Sequence, residues 1–112
     1  MAEIPEAVQS DLCRIGGVEG LVEQVPPLEE LVRRSGIYRA LSDPIRLTIL
    51  HLLSGQPLCV CVIKEVLAIG DSNLSYHLNV LKQSGLVASA QAGNWLIYRL
   101  TDEGRRYLER GE

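Results

Sequence analysis

A chain of 112 residues with a formal charge of −3 and no phenylalanine has the length of one small domain, and leucine, isoleucine and valine must fill its core. No apolar run is long enough to span a bilayer, and the start MAEIPEAVQSDL lacks the basic and apolar regions of a secretory signal, so a cytoplasmic protein without a membrane partner is expected. Three cysteines without such a signal argue for reduced thiols rather than a disulfide framework. The charge is uneven: up to Gly36 the chain carries seven acids (Glu3, Glu6, Asp11, Glu19, Glu23, Glu29, Glu30) against three bases (Arg14, Arg33, Arg34), and the rest carries eight bases against seven acids. Net charge therefore neither supports nor excludes a nucleic-acid partner, and local placement has to decide.

In the acidic arm, Pro5, Gly16-Gly17 and Pro26-Pro27 keep any helices short. Leu28 to Ser35 is amphipathic, with a stop expected at Gly36. The stretch ALSDPIRLTILHLLSG predicts a helix capped by Asp43, with Pro44 in its first position, apolar Ile45, Ile49, Leu52 and Leu53 at helical spacing, and Gly55 as its close. From Leu58 to Ala68 a short helix is expected, with Val62, Val66 and Ile69 on its apolar side and Gly70 after it. Asp71 or Ser72 then caps a helix running to Gly85, whose core stripe is Leu74, Leu78 and Leu81. Ser72, Tyr76, Val80 and Gln83 are left on the opposite side.

The period then changes. LVASAQ, AGN and WLIYRL read as two strands around a glycine-containing turn, with Leu96, Tyr98 and Leu100 alternating with Trp95, Ile97 and Arg99. Thr101-Asp102-Glu103 opens a last amphipathic helix. Two short helices joined by the glycine-centred AIGDS turn, with a hairpin directly behind them, predict a mainly α chain with a β-hairpin, a winged helix-turn-helix.

The second helix of that pair carries the case for DNA. Ser72, Asn73 and Tyr76, flanked by Ser75, offer uncharged hydrogen-bonding groups at the end that enters a major groove. Lys82, Arg99 in the wing, Lys64, and Arg105 or Arg106 are candidates for backbone phosphates. An ordinary solvated helix face would carry the same residues, and the hairpin behind it tips the reading towards double-stranded DNA. His77 reads as a packed or backbone-bonded histidine, His51 as solvated, and Trp95 and Tyr98 as hairpin and core packing. No nucleophile–base–orienter set, phosphate loop or metal motif with a general base points to an enzyme.

Two of the three cysteines stand one residue apart in PLCVCVIKEVL. Thiolates favour soft ions, and two close in sequence can chelate one. Residues i and i+2 lie on different sides of a regular helix, so Cys59 and Cys61 can share an ion only if the first turn is irregular, as Pro57 allows. Either could equally be core filler.

The segments ALSDPIRLTILHLL, LCVC, SNLSYHLNVLKQSGLV and GNWLIYRLT together resemble the ArsR/SmtB family of winged-helix, metal-responsive repressors, over roughly Tyr38 to Thr101. The pattern is Asp43-Pro44 with Arg46, Ser75 with His77-Leu78, Leu81-Lys82, Gly85-Leu86-Val87 and Tyr98. The resemblance implies a homodimer on a pseudo-palindromic operator that needs no cofactor to bind DNA and releases it when an inducer binds. The charge break at Gly36, and Leu21, Leu28, Leu31, Val32, Tyr107 and Leu108 left without apolar cover, divide the chain into an N-terminal arm and dimerisation segment, 1–36, and a DNA-binding domain with a C-terminal dimerisation helix, 37–112.

The resemblance also implies an inducer site. Cys-x-Cys on the helix before the recognition helix looks like the place where As(III), Cd(II) or Pb(II) binds. Some members complete the set with a third cysteine downstream on that helix, which Val62 to Leu67 lacks. Others use an arm cysteine, often the partner's, and Cys13 lies in such an arm. The last helix has no histidine, against a C-terminal zinc or nickel site. A thiol redox or persulfide sensor on the same scaffold, in which Cys13 and one of the pair form a disulfide or polysulfide link, and a winged-helix module that binds protein, remain open alternatives.

Overall fold

The computed structural model describes residues 3–110, and the chain falls into two compact units that part between Val32 and Arg33. The N-terminal unit holds α1 (Glu6–Arg14) and α2 (Gly17–Gln24), joined through Gly16 and Gly17, both at positive φ. Neither helix buries a residue, and Val8, Val18, Leu21 and Val22 are exposed.

Next comes α3 (Leu28–Leu41), which runs straight through Gly36 instead of stopping there. A mid-helix glycine costs only about 1 kcal/mol, and Ile37 and Ala40, one and four residues later, are fully buried. Packing outweighs propensity at this point. α4 (Pro44–Leu53) begins as expected: the Asp43 carboxylate accepts from the backbone N–H of Ile45 at 2.8 Å and of Arg46 at 3.2 Å. Its buried face is Ile49, Leu50 and Leu53 together with Arg46, which composition alone would place outside.

The segment after α4 differs from the expected helix. Leu58–Cys59 forms a short strand, β1, and α5 (Val60–Leu67) starts only after it. The face α5 buries is Ile63, with Val60, Leu67 and Ile69 packed around it, while Val62 and Val66 are exposed. Of the expected apolar side only Ile69 packs on the core: Val62 and Val66 fit a helical stripe, but so do Val60, Ile63 and Leu67, and the core selects these. The left-handed residue of the turn is Ala68 (φ 55), not Gly70.

α6 (Asp71–Gln83) has Gly70 as N-cap without a side-chain cap, so neither Asp71 nor Ser72 caps it. Asp71 instead reaches back to Lys64 at 2.6 Å, an exposed pair joining α5 to the start of α6. Leu74, Leu78 and Leu81 face the core as expected, and Val80 packs against it too rather than standing opposite. β2 (Val87–Ala92) and β3 (Trp95–Leu100) form the hairpin around Gly93-Asn94, with Gly93 at φ 61. The sheet has three antiparallel strands in the order β1-β3-β2, with Leu58 opposite Tyr98 and Cys59 opposite Ile97. Tyr98 and Leu100 are buried as expected. Trp95, at the hairpin tip, is 57% exposed and takes no part in the core.

α7 (Asp102–Arg110) is seated on the base of the wing. The Thr101 side-chain oxygen accepts the Gly104 N–H at 3.0 Å and lies within bonding distance of the Gly85 and Leu86 carbonyls. A Cβ on Gly104 would collide with the Leu86 carbonyl oxygen. Gly104→Ala should therefore destabilise the fold by about 1–3 kcal/mol. Gly36→Ala, helical with open space around the added methyl, should stabilise it by about 0.4–1 kcal/mol, and urea unfolding of the two variants checks both signs.

Candidate nucleic-acid interface and thiol site

Because Leu74, His77, Leu78 and Leu81 turn one face of α6 into the core, the other face is set. Ser72, Asn73, Ser75 and Tyr76 all stand exposed on its N-terminal half, and Tyr76 is 61% accessible. Lys82 and Arg99 are exposed as well, Arg99 opposite Ala88 in the wing ladder. The other candidate cations are partly engaged: Lys64 with Asp71, and Arg105 with the Ser54 carbonyl at 3.2 Å.

Behind this face lies a polar joint. Arg46 is 7% exposed, and each of its three nitrogens has a partner: Nε donates to the Ala40 carbonyl at 2.8 Å, Nη2 to the Arg39 carbonyl at 3.2 Å, and Nη1 meets His77 Nδ1 at 3.0 Å. A guanidinium has only donors, so His77 accepts at Nδ1 and keeps its proton on Nε2. His77 is thus packed, as expected, but it bonds to a side chain rather than to backbone. His51 is exposed.

The thiols come together for a reason the helical rule missed. Cys59 is the N-cap residue of α5, with extended backbone (φ −75, ψ 155), and Cys61 is one residue into the helix. The change of direction between them brings the two sulfurs within 2.6 Å. Either thiol can donate in this contact, which holds Cys59 below the ordinary thiol range, helped by the Val62 N–H. The same contact pushes Cys61 up, together with burial and the negative charge of Cys59 beside it. Cys61, Lys64, Glu65, Ala68 and Ile69 line an open depression of about 560 Å³ on α5. Cys13 is exposed on α1, in the other unit. Among the described residues no three His, Cys, Asp or Glu side chains gather into a metal-holding group, so the local donor set is the two sulfurs.

Comparison with known proteins agrees with this architecture. The pattern of the bacterial regulatory protein, arsR family, matches residues 43–89. An HTH-type transcriptional regulator of Methanocaldococcus jannaschii is 36% identical over 77 residues, 68% of this chain and 86% of that one. The chain belongs to the ArsR family. The arsenical resistance operon repressor of Staphylococcus xylosus is 39% identical over 74 residues, 66% of this chain and 71% of that one. Among solved structures, the homodimeric winged helix-turn-helix DNA-binding domain from Mycobacterium bovis has a TM-score of 0.71 at 26% identity, covering 75% of this chain and 79% of that one. An ArsR-family chain is a DNA-binding transcriptional regulator, not an enzyme, and no helix among the described residues is long and apolar enough to cross a membrane.

One ArsR-family feature here was only half visible in the sequence: Arg46 stood in the motif, but nothing in the pattern marked it as buried. The sign that could have shown it is position, since Arg46 falls between Ile45 and Ile49 on a helix whose core face they define.

The Asp43 cap makes the joint sensitive to pH. Burial works against its charge, but the N–H groups of Arg46 and Ile45 and the charge of the guanidinium outweigh that and hold its carboxyl below the usual range. A carboxyl lowered on folding stabilises fully above its unfolded value, about 3.9, and loses that contribution as pH falls through the folded value. Asp43→Ala should therefore cost about 1 kcal/mol in urea unfolding at pH 7. The gap to the unsubstituted protein should narrow in acid below that range.

Proposed function

We propose that this ArsR-family chain is a homodimeric repressor that reads operator DNA with Ser72, Asn73, Ser75 and Tyr76 and is induced when Cys59 and Cys61 together take up a soft ion such as As(III), Cd(II) or Pb(II). The observation that carries the inducer site is the meeting of two accessible sulfurs where β1 ends and α5 begins. Two thiolates suit a soft ion, and a third ligand has to come from elsewhere, for which Cys13 of the arm is the candidate. The relatives named for arsenical resistance support the same chemistry.

The homodimer rests on uncovered apolar surface. Leu21, Leu28, Leu31 and Val32 are exposed, and Tyr107 and Leu108 are only partly covered. In this reading residues 1–36 and α7 supply the dimer contacts, and residues 37–112 bind DNA. A two-fold axis there sets two recognition helices about 34 Å apart, one turn of DNA.

The thiol pair can act on DNA binding through two connections. Cys59 stands in register opposite Ile97 of the wing, and Cys61 lies on the helix that the short Ala68–Gly70 turn joins to α6. Seating an ion between the sulfurs spreads them beyond their 2.6 Å separation, which moves α5 against the wing and α6 with it. A coupling of about 1–3 kcal/mol lowers operator affinity roughly 5- to 150-fold. Both thiols must lose their protons, so ion affinity falls with pH, and the raised Cys61 thiol is the last to ionise. The closeness of the sulfurs also favours a second reading, induction by dithiol oxidation, which an oxidant added without any ion distinguishes.

Alanine at Ser72, Asn73 or Tyr76 should flatten the preference for operator over random DNA. Alanine at Lys82 or Arg99 should weaken both equally and shallow the salt dependence. Fluorescence anisotropy at several salt concentrations measures both effects, and full preference in the Asn73 and Tyr76 variants would remove α6 from base reading. For the inducer, Cys59→Ser and Cys61→Ser should abolish DNA release by As(III), Cd(II) or Pb(II) while leaving DNA binding intact, and Cys13→Ser should weaken release if the arm takes part. Release by these ions from the Cys59→Ser, Cys61→Ser double variant would refute the site.

A further inference from the structure

Tyr76 is the largest side chain on the exposed face of α6, and a mobile tyrosine discriminates poorly between bases, because fixing it on binding costs rotamer freedom. The structure shows what steadies it. The Tyr76 ring stands edge-on to the His77 imidazole, with centroids 5.3 Å apart and planes at 63°. The imidazole is itself held from behind by Arg46 Nη1 at 3.0 Å. Arg46 in turn is fixed by the Ala40 and Arg39 carbonyls at the C-terminal end of α3. Both members of the relay are buried, His77 at 6% and Arg46 at 7% exposure, so neither can touch DNA.

We propose that His77 and Arg46 are positioning residues for operator recognition: they hold the ring of Tyr76 in its reading orientation and tie that orientation to the end of α3. The inference rests on the assignment of Tyr76 to base reading and adds two residues that act without contacting DNA. The chain of contacts is short and each link is specific. Arg46 bonds His77 at Nδ1, which orients the imidazole, and the imidazole in turn meets the phenol ring edge-on. A leucine at 77 fills the core but offers neither the acceptor nor the ring edge.

The test is a double-mutant cycle on the full-length protein, with operator and random duplexes titrated in parallel. Tyr76→Ala, His77→Leu and the double variant are compared, with thermal unfolding run on each. His77→Leu should reduce the operator-to-random preference by about 3- to 30-fold while leaving affinity for random DNA unchanged. In the Tyr76→Ala background the same substitution should have no further effect on preference. A general loosening of the fold would instead reduce preference equally in both backgrounds, and that result overturns the proposal, as does full preference in His77→Leu. If Tyr76→Ala alone leaves preference intact, the base-reading assignment fails first, and the proposal falls with it. Should His77→Leu not fold, Arg46→Lys enters the same cycle with the same criteria, since a compact ammonium cannot reproduce the planar fork that reaches both carbonyls and the imidazole.

Discussion

A guanidinium cannot be dehydrated without acceptors for its donors, because an unpaired buried charge costs several kcal/mol. Arg46 finds an acceptor for each of its three nitrogens: two backbone carbonyls at the end of α3 and one imidazole nitrogen on α6. The carbonyls belong to the last turn of α3, where the helix dipole is negative and a cation is favoured. Three helices are thereby required to converge at one point with hydrogen-bond accuracy. The leucines and isoleucines around the joint add burial energy without direction, and would tolerate several packings. The Arg46 fork selects one.

Elements defined by local chemistry were legible: Asp43-Pro44 opens α4, the leucine stripe orients α6, and the glycine turn makes the hairpin. Errors fell where tertiary packing decided. Gly36 was read as a stop because its local cost is real, but Ile37 and Ala40 bury enough surface to carry the helix through. Val62 and Val66 formed as good an apolar stripe as Val60, Ile63 and Leu67, and only the position of the core separates them. β1 is two residues long, below any periodicity, and exists because β3 offers it a partner edge. Trp95 reads as packing from its residue type, but a hairpin tip gives it nothing to pack on.

The thiols show a different kind of legibility. Their spacing announced a shared ligand, while helical geometry argued against it. Both were right about their own premise. Cys59 is not in the helix, so the rule separating i from i+2 does not govern the pair. The short strand that escaped prediction is what removes Cys59 from α5, and the failure to see the strand and the difficulty over the pair were therefore one problem. Cys13 is legible only as a thiol in an arm, because nothing in its surroundings specifies a partner.

The pairing of β1 with β3 has a consequence for observing the molecule. Cys59 faces Ile97, and Trp95 lies two residues further along the same strand, about 7 Å away at the usual rise. It is the only tryptophan in the chain and stands largely in solvent. An indole in that setting emits according to its local field and to heavy atoms or charges nearby. The protein thus carries a built-in optical reporter on the wing, next to the strand that holds the first thiol. Its emission can be followed without labels, undiluted by any second indole.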